Sequence, residues 1–292
     1  MVLSPGIDIR FQDCVEGMKG MEDGSVDLVC ADPPYNIGKS IAGDSNDTAT
    51  YMSMTVEWLR EAVRLLKPAG SIYVMCSVIY QPRIHLVLED ELRMHFLNLI
   101  IWSYSHNTHG YKYKLGQTYE PILLFTKSTG GYTFNMDDLR DREKFARYDK
   151  NNSVKGKALG DVWEIPVNFA ANAYNDIWDV PRILWNNKER IEFYKRNPQG
   201  VFVEKAHPTQ KPIDLFKQMI YLSSNPGETV LSPFSGSGTC EVACILTGRK
   251  CFGFEIDAKR FKKIIEKRIE NANKESAELF NKSKHSLDRF ND

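Results

Sequence analysis

The chain has 292 residues, of which 42% are hydrophobic and 26% charged, with 38 basic and 38 acidic side chains. That composition can bury a full α/β core, with or without an inserted lobe; it excludes a disordered chain, and no apolar run is long enough to span a bilayer. A formal net charge of zero also means that any nucleic-acid surface must be built from local positive charge rather than from the balance of the whole chain.

Met1 to Gly6 lacks a basic segment followed by an apolar one, so no secretory signal is expected and cytoplasm is the expected location, with no membrane partner. The six cysteines, Cys14, Cys30, Cys76, Cys240, Cys244 and Cys251, form no Cys-x-x-Cys pair. They read as reduced core residues, and no metal site is expected.

In chain order, Ile7 to Phe11 alternates like a strand, Val15 to Met21 reads as a short helix, and Val26 to Ala31 is a small apolar strand. Asn36 to Thr50 is polar and long enough for a flap over a site. Met54 to Leu66 has helical periodicity and should stop at Lys67-Pro68-Ala69-Gly70, before a buried strand from Ser71 to Cys76. Arg83 to Glu91 reads as a helix, and Leu97 to Trp102 and Pro121 to Thr126 as strands. Such alternation predicts a largely parallel sheet covered on both faces.

Periodicity breaks down from Lys127 to Lys205. Lys144, Arg147, Lys150, Lys155 and Lys157 cluster there with Phe145 and Tyr148, which suits either a grip on a phosphate backbone or a plain solvated face. Trp163 and Trp178, in two similar short phrases, read as packing residues. Pro212 opens a helix to about Ser223; Thr229 to Ser232 and Lys250 to Ile256 are strands around a helix from Cys240 to about Thr247, and a charged helix from Lys259 tapers into a polar tail.

Two loops carry chemistry. The strand ending at Ala31 runs into Asp32-Pro33-Pro34-Tyr35, where the prolines stiffen the backbone and remove two donors. An anionic acceptor, a free carbonyl and an aromatic face suit a planar group bearing an exocyclic NH2, although an Asp-Pro-Pro run is also an ordinary turn. The second loop, Pro233-Phe234-Ser235-Gly236-Ser237-Gly238-Thr239, lies between strand and helix, where glycines admit a ligand at a helix N-terminus. Glu255, at the end of the next strand, suits a pair of ribose hydroxyls. Glu241 stands where a dinucleotide fingerprint has its third glycine, and its charge is expected to repel a pyrophosphate; no Gly-Lys-Ser/Thr phosphate loop is present. The ligand predicted is an adenosine without phosphates, and S-adenosylmethionine fits.

Asp32-Pro33-Pro34-Tyr35, Phe234 to Thr239 and His207-Pro208-Thr209-Gln210-Lys211-Pro212 together resemble the amino-directed DNA methyltransferases of the β group, in which the catalytic motif precedes the target-recognition region and the cofactor motif comes last. Asp13, Leu66 to Tyr73 and Tyr119 to Phe125 agree with it. The resemblance implies a Rossmann-like S-adenosylmethionine-dependent methyltransferase fold of α/β class, with a mostly parallel twisted sheet, helices on both faces and permuted motif order. It divides the chain into a catalytic part (1–127), an inserted irregular target-recognition region (128–206), a cofactor-binding part (207–270) and a polar tail (271–292).

By the same resemblance, Asp32, Pro33, Pro34 and Tyr35 would be catalytic, and Asp13, Ala31, Asp32, Thr209, Lys211, Phe234, Ser235, Gly236, Gly238, Thr239 and Glu255 would hold the cofactor; the five basic residues, from their local charge, are the candidate DNA contacts. The implied activity is adenine-N6 methylation of double-stranded DNA by base flipping in a restriction-modification system. Implied partners are DNA, a cognate restriction endonuclease and a second copy of the chain. Cytosine-N4 methylation, a protein glutamine methyltransferase and a non-catalytic DNA-binding relative are the other readings. The family usually has an acid directly before Pro-Phe; this chain has Ser232.

Overall fold

The computed structural model describes residues 2–38, 47–103, 113, 115–136, 160–164 and 210–288. Lys144, Arg147, Lys150, Lys155, Lys157, Trp178 and Thr209 lie outside them, as does most of the expected flap.

The described strands form one sheet of nine, β1 (Val2–Ser4), β2 (Ile7–Arg10), β3 (Val26–Ala31), β4 (Leu66–Met75), β5 (His95–Ser103), β6 (Tyr119–Thr126), β7 (Val162–Glu164), β8 (Thr229–Ser232) and β9 (Lys250–Phe254). Their spatial order is β1-β2-β9-β8-β3-β4-β6-β5-β7. The centre, from β2 through β9, β8 and β3 to β4, is parallel. β6 runs antiparallel to both β4 and β5, and β1, which the sequence pattern did not show, is an antiparallel edge on β2.

Strand residues alternate between two cores. Leu28, Cys30 and Val230 face one side with helices α4 (Ile213–Ser223), α5 (Thr239–Thr247) and the start of α6 (Ala258–Asp288). Val29, Ala31 and Leu231 face the other, with α1 (Cys14–Lys19), α2 (Thr48–Leu65) and α3 (Gln81–Leu86). The helices of each half of the chain thus cover one face, and β3, buried on both, is an almost continuous apolar run.

Local chemistry sets the element ends. The Asp13 carboxylate caps α1, accepting from Val15 N and Glu16 N. The Asp47 carboxylate accepts from Thr50 N, so α2 begins at Thr48, six residues ahead of its expected start. Tyr51, Thr55, Trp58, Leu59 and Ala62 then form its buried stripe. α2 ends at Leu65, as the sequence predicts, but Lys67 to Gly70 lies within β4 as a bulge: Val26 pairs with Leu66, Leu28 with Ser71. Gly70 is required there, because a Cβ would stand 2.7 Å from Leu66 Cδ2 and 3.0 Å from the Asp27 carbonyl. The helix expected over Arg83 to Glu91 is α3 followed by a π-helical turn, Val87–Glu91.

The six cysteines are free and buried. The structure adds that the sulfurs of Cys240, Cys244 and Cys251 lie within 4.8 Å of one another. No helix among the described residues is long and apolar enough to cross a membrane.

Candidate active site

The two loops singled out in sequence leave the C-terminal ends of adjacent parallel strands, because Val29 of β3 pairs with Leu231 of β8. In doubly wound sheets that end is where ligands bind.

Asp32 and Tyr35 converge with two residues distant in the chain. Lys211 Nζ lies 3.1 Å from Asp32 Oδ1 and 3.2 Å from Glu120 Oε2. The Tyr35 hydroxyl donates to the same Glu120 oxygen at 2.9 Å, and the Lys211 ammonium stands 4.7 Å from the Tyr35 ring centroid. Lys211 and Glu120 are only 6% and 7% exposed, so the ammonium depends on its carboxylates in place of water. Burial raises the Asp32 carboxyl above the ordinary carboxylate range, with Lys211 opposing. Burial also pulls the Lys211 ammonium down, but attraction to Asp32 and then Glu120 outweighs it, and the net direction is up. Tyr35 is pushed far up by burial and then by Glu120, which keeps its hydroxyl a donor.

Asn36 locks the corner from behind. Its φ of 53° is left-handed, a region that Asn tolerates better than most residues, and its amide donates to the Tyr80 hydroxyl at 2.8 Å.

The glycine turn is held differently. Gly236 and Gly238 have φ of 52° and 78°. The Glu255 carboxylate accepts from Gly236 N and Asp257 N, both at 2.8 Å, and each oxygen keeps a second lone pair for a ligand hydroxyl. Burial raises its pKa. Phe234 meets Trp58 edge-on at 5.2 Å between ring centroids. Ser235 N donates to Phe254 O, and the Ser235 hydroxyl donates to Glu241. Glu241 is fully buried, and its carboxyl is pushed up to about 8 by desolvation first. It is therefore mostly neutral at pH 7, which corrects the expectation that its charge would repel a pyrophosphate. The physical reason is burial beneath the turn: a Cβ on Gly253 would stand 2.4 Å from Glu241 Oε1. On the other flank, the buried Arg268 guanidinium donates to Ser237 O and Thr239 Oγ1.

One residue joins the loops. The Thr239 hydroxyl donates to the Lys211 carbonyl at 3.4 Å, while the Lys211 side chain reaches Asp32. Ala31 ends β3 directly before Asp32. Asp13, expected at the cofactor, has its carboxylate engaged as the cap of α1. Lys211, expected at the cofactor's methionine end, has its ammonium on Asp32 and Glu120. Glu120 was legible only as part of a minor motif, without a role. Ser232, where an acid is usual, is buried in β8.

Fold and site together define a Rossmann-like α/β protein of the methyltransferase type, with an acidic corner set beside a glycine turn. A family described as DNA methylase, covering N6 and N4 methyltransferases, matches residues 26–267. The type II methyltransferase M.HpaI of Haemophilus parainfluenzae is 33% identical over 265 residues, covering 89% of this chain and 73% of that protein. The DNA adenine methyltransferase YhdJ of Escherichia coli (strain K12) is 34% identical over 282 residues, covering 93% and 85%. Among solved structures, the cytosine-N4-specific PvuII DNA methyltransferase superposes with a TM-score of 0.65 at 16% identity, covering 93% of this chain and 92% of that one. The chain belongs to the N6/N4 DNA methylase family, in its β-group motif order.

Proposed function

We propose that this chain transfers the methyl group of S-adenosylmethionine to N6 of adenine in double-stranded DNA, with the target base flipped out of the helix, as the modification partner of a restriction endonuclease. The observation that carries this reading is the placement of Asp32 and the glycine turn on adjacent strand ends, joined through Lys211. The donor set fits the cofactor: the turn offers backbone and the Glu255 carboxylate rather than phosphate-binding lysines, which suits a phosphate-free adenosine.

The adenine amine is a poor nucleophile because its lone pair is delocalised into the ring. Asp32 and the Pro33 carbonyl would accept hydrogen bonds from its two N–H groups, drawing the nitrogen toward tetrahedral geometry and aiming its lone pair at the reaction line. When bound, the cofactor supplies an electrophilic methyl on sulfur. The Asp32 charge then stabilises the cationic amine as it develops and accepts its proton. Tyr35 gives the extruded base a stacking face that offsets part of the few kcal/mol spent on flipping.

The likeness to PvuII DNA methyltransferase, together with a family that covers both chemistries, supports cytosine N4 as the second reading. The test is mass spectrometry of nucleosides from duplex DNA incubated with the protein and S-adenosylmethionine. N6-methyladenosine is expected; N4-methylcytosine overturns the choice of base, and unmodified DNA overturns the activity. Calorimetric titration with S-adenosylmethionine separates a non-catalytic relative, which would show no heat of binding.

A further inference from the structure

The Lys211 ammonium, a nitrogen carrying protons, sits against Asp32 and over the Tyr35 ring. These are the contacts that an incoming amino group needs if Asp32 accepts its proton, and the two nitrogens compete for them. Glu120 also flanks Lys211, 3.2 Å from its ammonium, and accepts from the Tyr35 hydroxyl. A buried ammonium cannot leave one carboxylate without another to go to.

We propose that Lys211 and Glu120 form a switch that guards the acceptor. The arriving amine displaces the ammonium from Asp32, and Glu120, a positioning residue, retains it. This rests on the reading of Asp32 as acceptor for the target amine. The switch also favours bases whose exocyclic group is an amine, because a carbonyl at that position offers no proton to exchange and leaves Lys211 on Asp32. No proton changes owner in the exchange: Asp32 remains ionised and Lys211 remains charged.

Among the described residues, the ionisable groups facing one another here are Asp32 after β3, Tyr35 in its loop, Cys76 after β4, Glu120 on β6 and Lys211 ahead of α4. Burial pushes the Cys76 thiol up to about 12, so it does not titrate with the others.

The experiment is steady-state methyl transfer to duplex DNA by the full chain carrying Glu120→Gln, Lys211→Met or both, with a cooperative thermal transition confirming that each variant is folded and calorimetry reading its S-adenosylmethionine affinity. In Glu120→Gln the ammonium keeps a single carboxylate and stays on Asp32, so kcat/KM for DNA falls at least tenfold while cofactor affinity holds. In Lys211→Met two carboxylates face each other without a cation, and the acid limb of the pH–rate profile moves up by at least one unit. The double variant recovers part of the loss and outpaces Glu120→Gln severalfold; Glu120→Asp keeps most of the wild-type rate. A double variant no faster than Glu120→Gln, or an unmoved acid limb in Lys211→Met, overturns the switch alone. An unaltered chain that transfers no methyl overturns the reading beneath it as well.

Discussion

The two loops at the mouth of the sheet do opposite things, and the glycine turn is the more deeply buried of the two. The Asp32 loop is stiffened by two prolines and holds full charges, Asp32 and Glu120 around Lys211. The glycine turn has positive φ at Gly236 and Gly238 and is held from beneath by a neutral acid, Glu241, through Ser235. Under the proposed function, charge stands where a nitrogen would become cationic, and backbone donors with hydroxyls stand where a ligand would only be seated. Removing charge from the first loop should therefore cost rate, whereas distorting the second should cost affinity.

The largest expected effect is at Asp32. Asp32→Ala should keep S-adenosylmethionine binding by calorimetry and lose methyl transfer by about two to three orders of magnitude in a tritium-transfer assay. Near-normal turnover would erase the distinction between the loops. Next is Gly238→Ala, which imposes a φ of 78° on a residue with a Cβ and sets that atom 3.3 Å from Ile265 Cγ1. The left-handed strain of about 1–2 kcal/mol should weaken S-adenosylmethionine roughly tenfold by calorimetry, with kcat at saturating cofactor little changed.

The smallest effect is on stability, at Glu241. Its folded carboxyl titrates at about 8 against an ordinary 4.5, so the folded state keeps a proton that the unfolded chain gives up. The stability this contributes is full below pH 4.5 and is lost as pH climbs to about 8. Glu241→Gln, which cannot ionise, should match wild-type Tm at pH 4 and exceed it by a few degrees at pH 9 in thermal scans. A Tm difference independent of pH would mean that the acid is ionised under the turn.

The sequence pattern showed what local chemistry writes into contiguous residues: the apolar run of β3 stopped by Asp32-Pro33-Pro34, the glycines before α5, and the acid closing β9. It did not show Lys211 meeting Asp32 and Glu120, because no short-range pattern relates residues so far apart; only the pairing of β3 with β4 and β8, and of β4 with β6, brings them to one point. Its reading of Glu241 as a charge failed for the same reason, since burial comes from tertiary packing. Lys67 to Gly70 reads locally as a break, yet pairing with β3 on either side turns it into a bulge. The early start of α2 was hidden because its first turn, Thr48 to Thr50, has no apolar stripe, and the signal lies in the Asp47 cap.

The Ser4 hydroxyl donates to Asn273 Oδ1 at 2.8 Å, so β1 at one end of the chain touches α6 at the other. β3 and β8 likewise are neighbours only in space, so strand pairing, not nearness along the chain, sets the acidic corner beside the glycine turn.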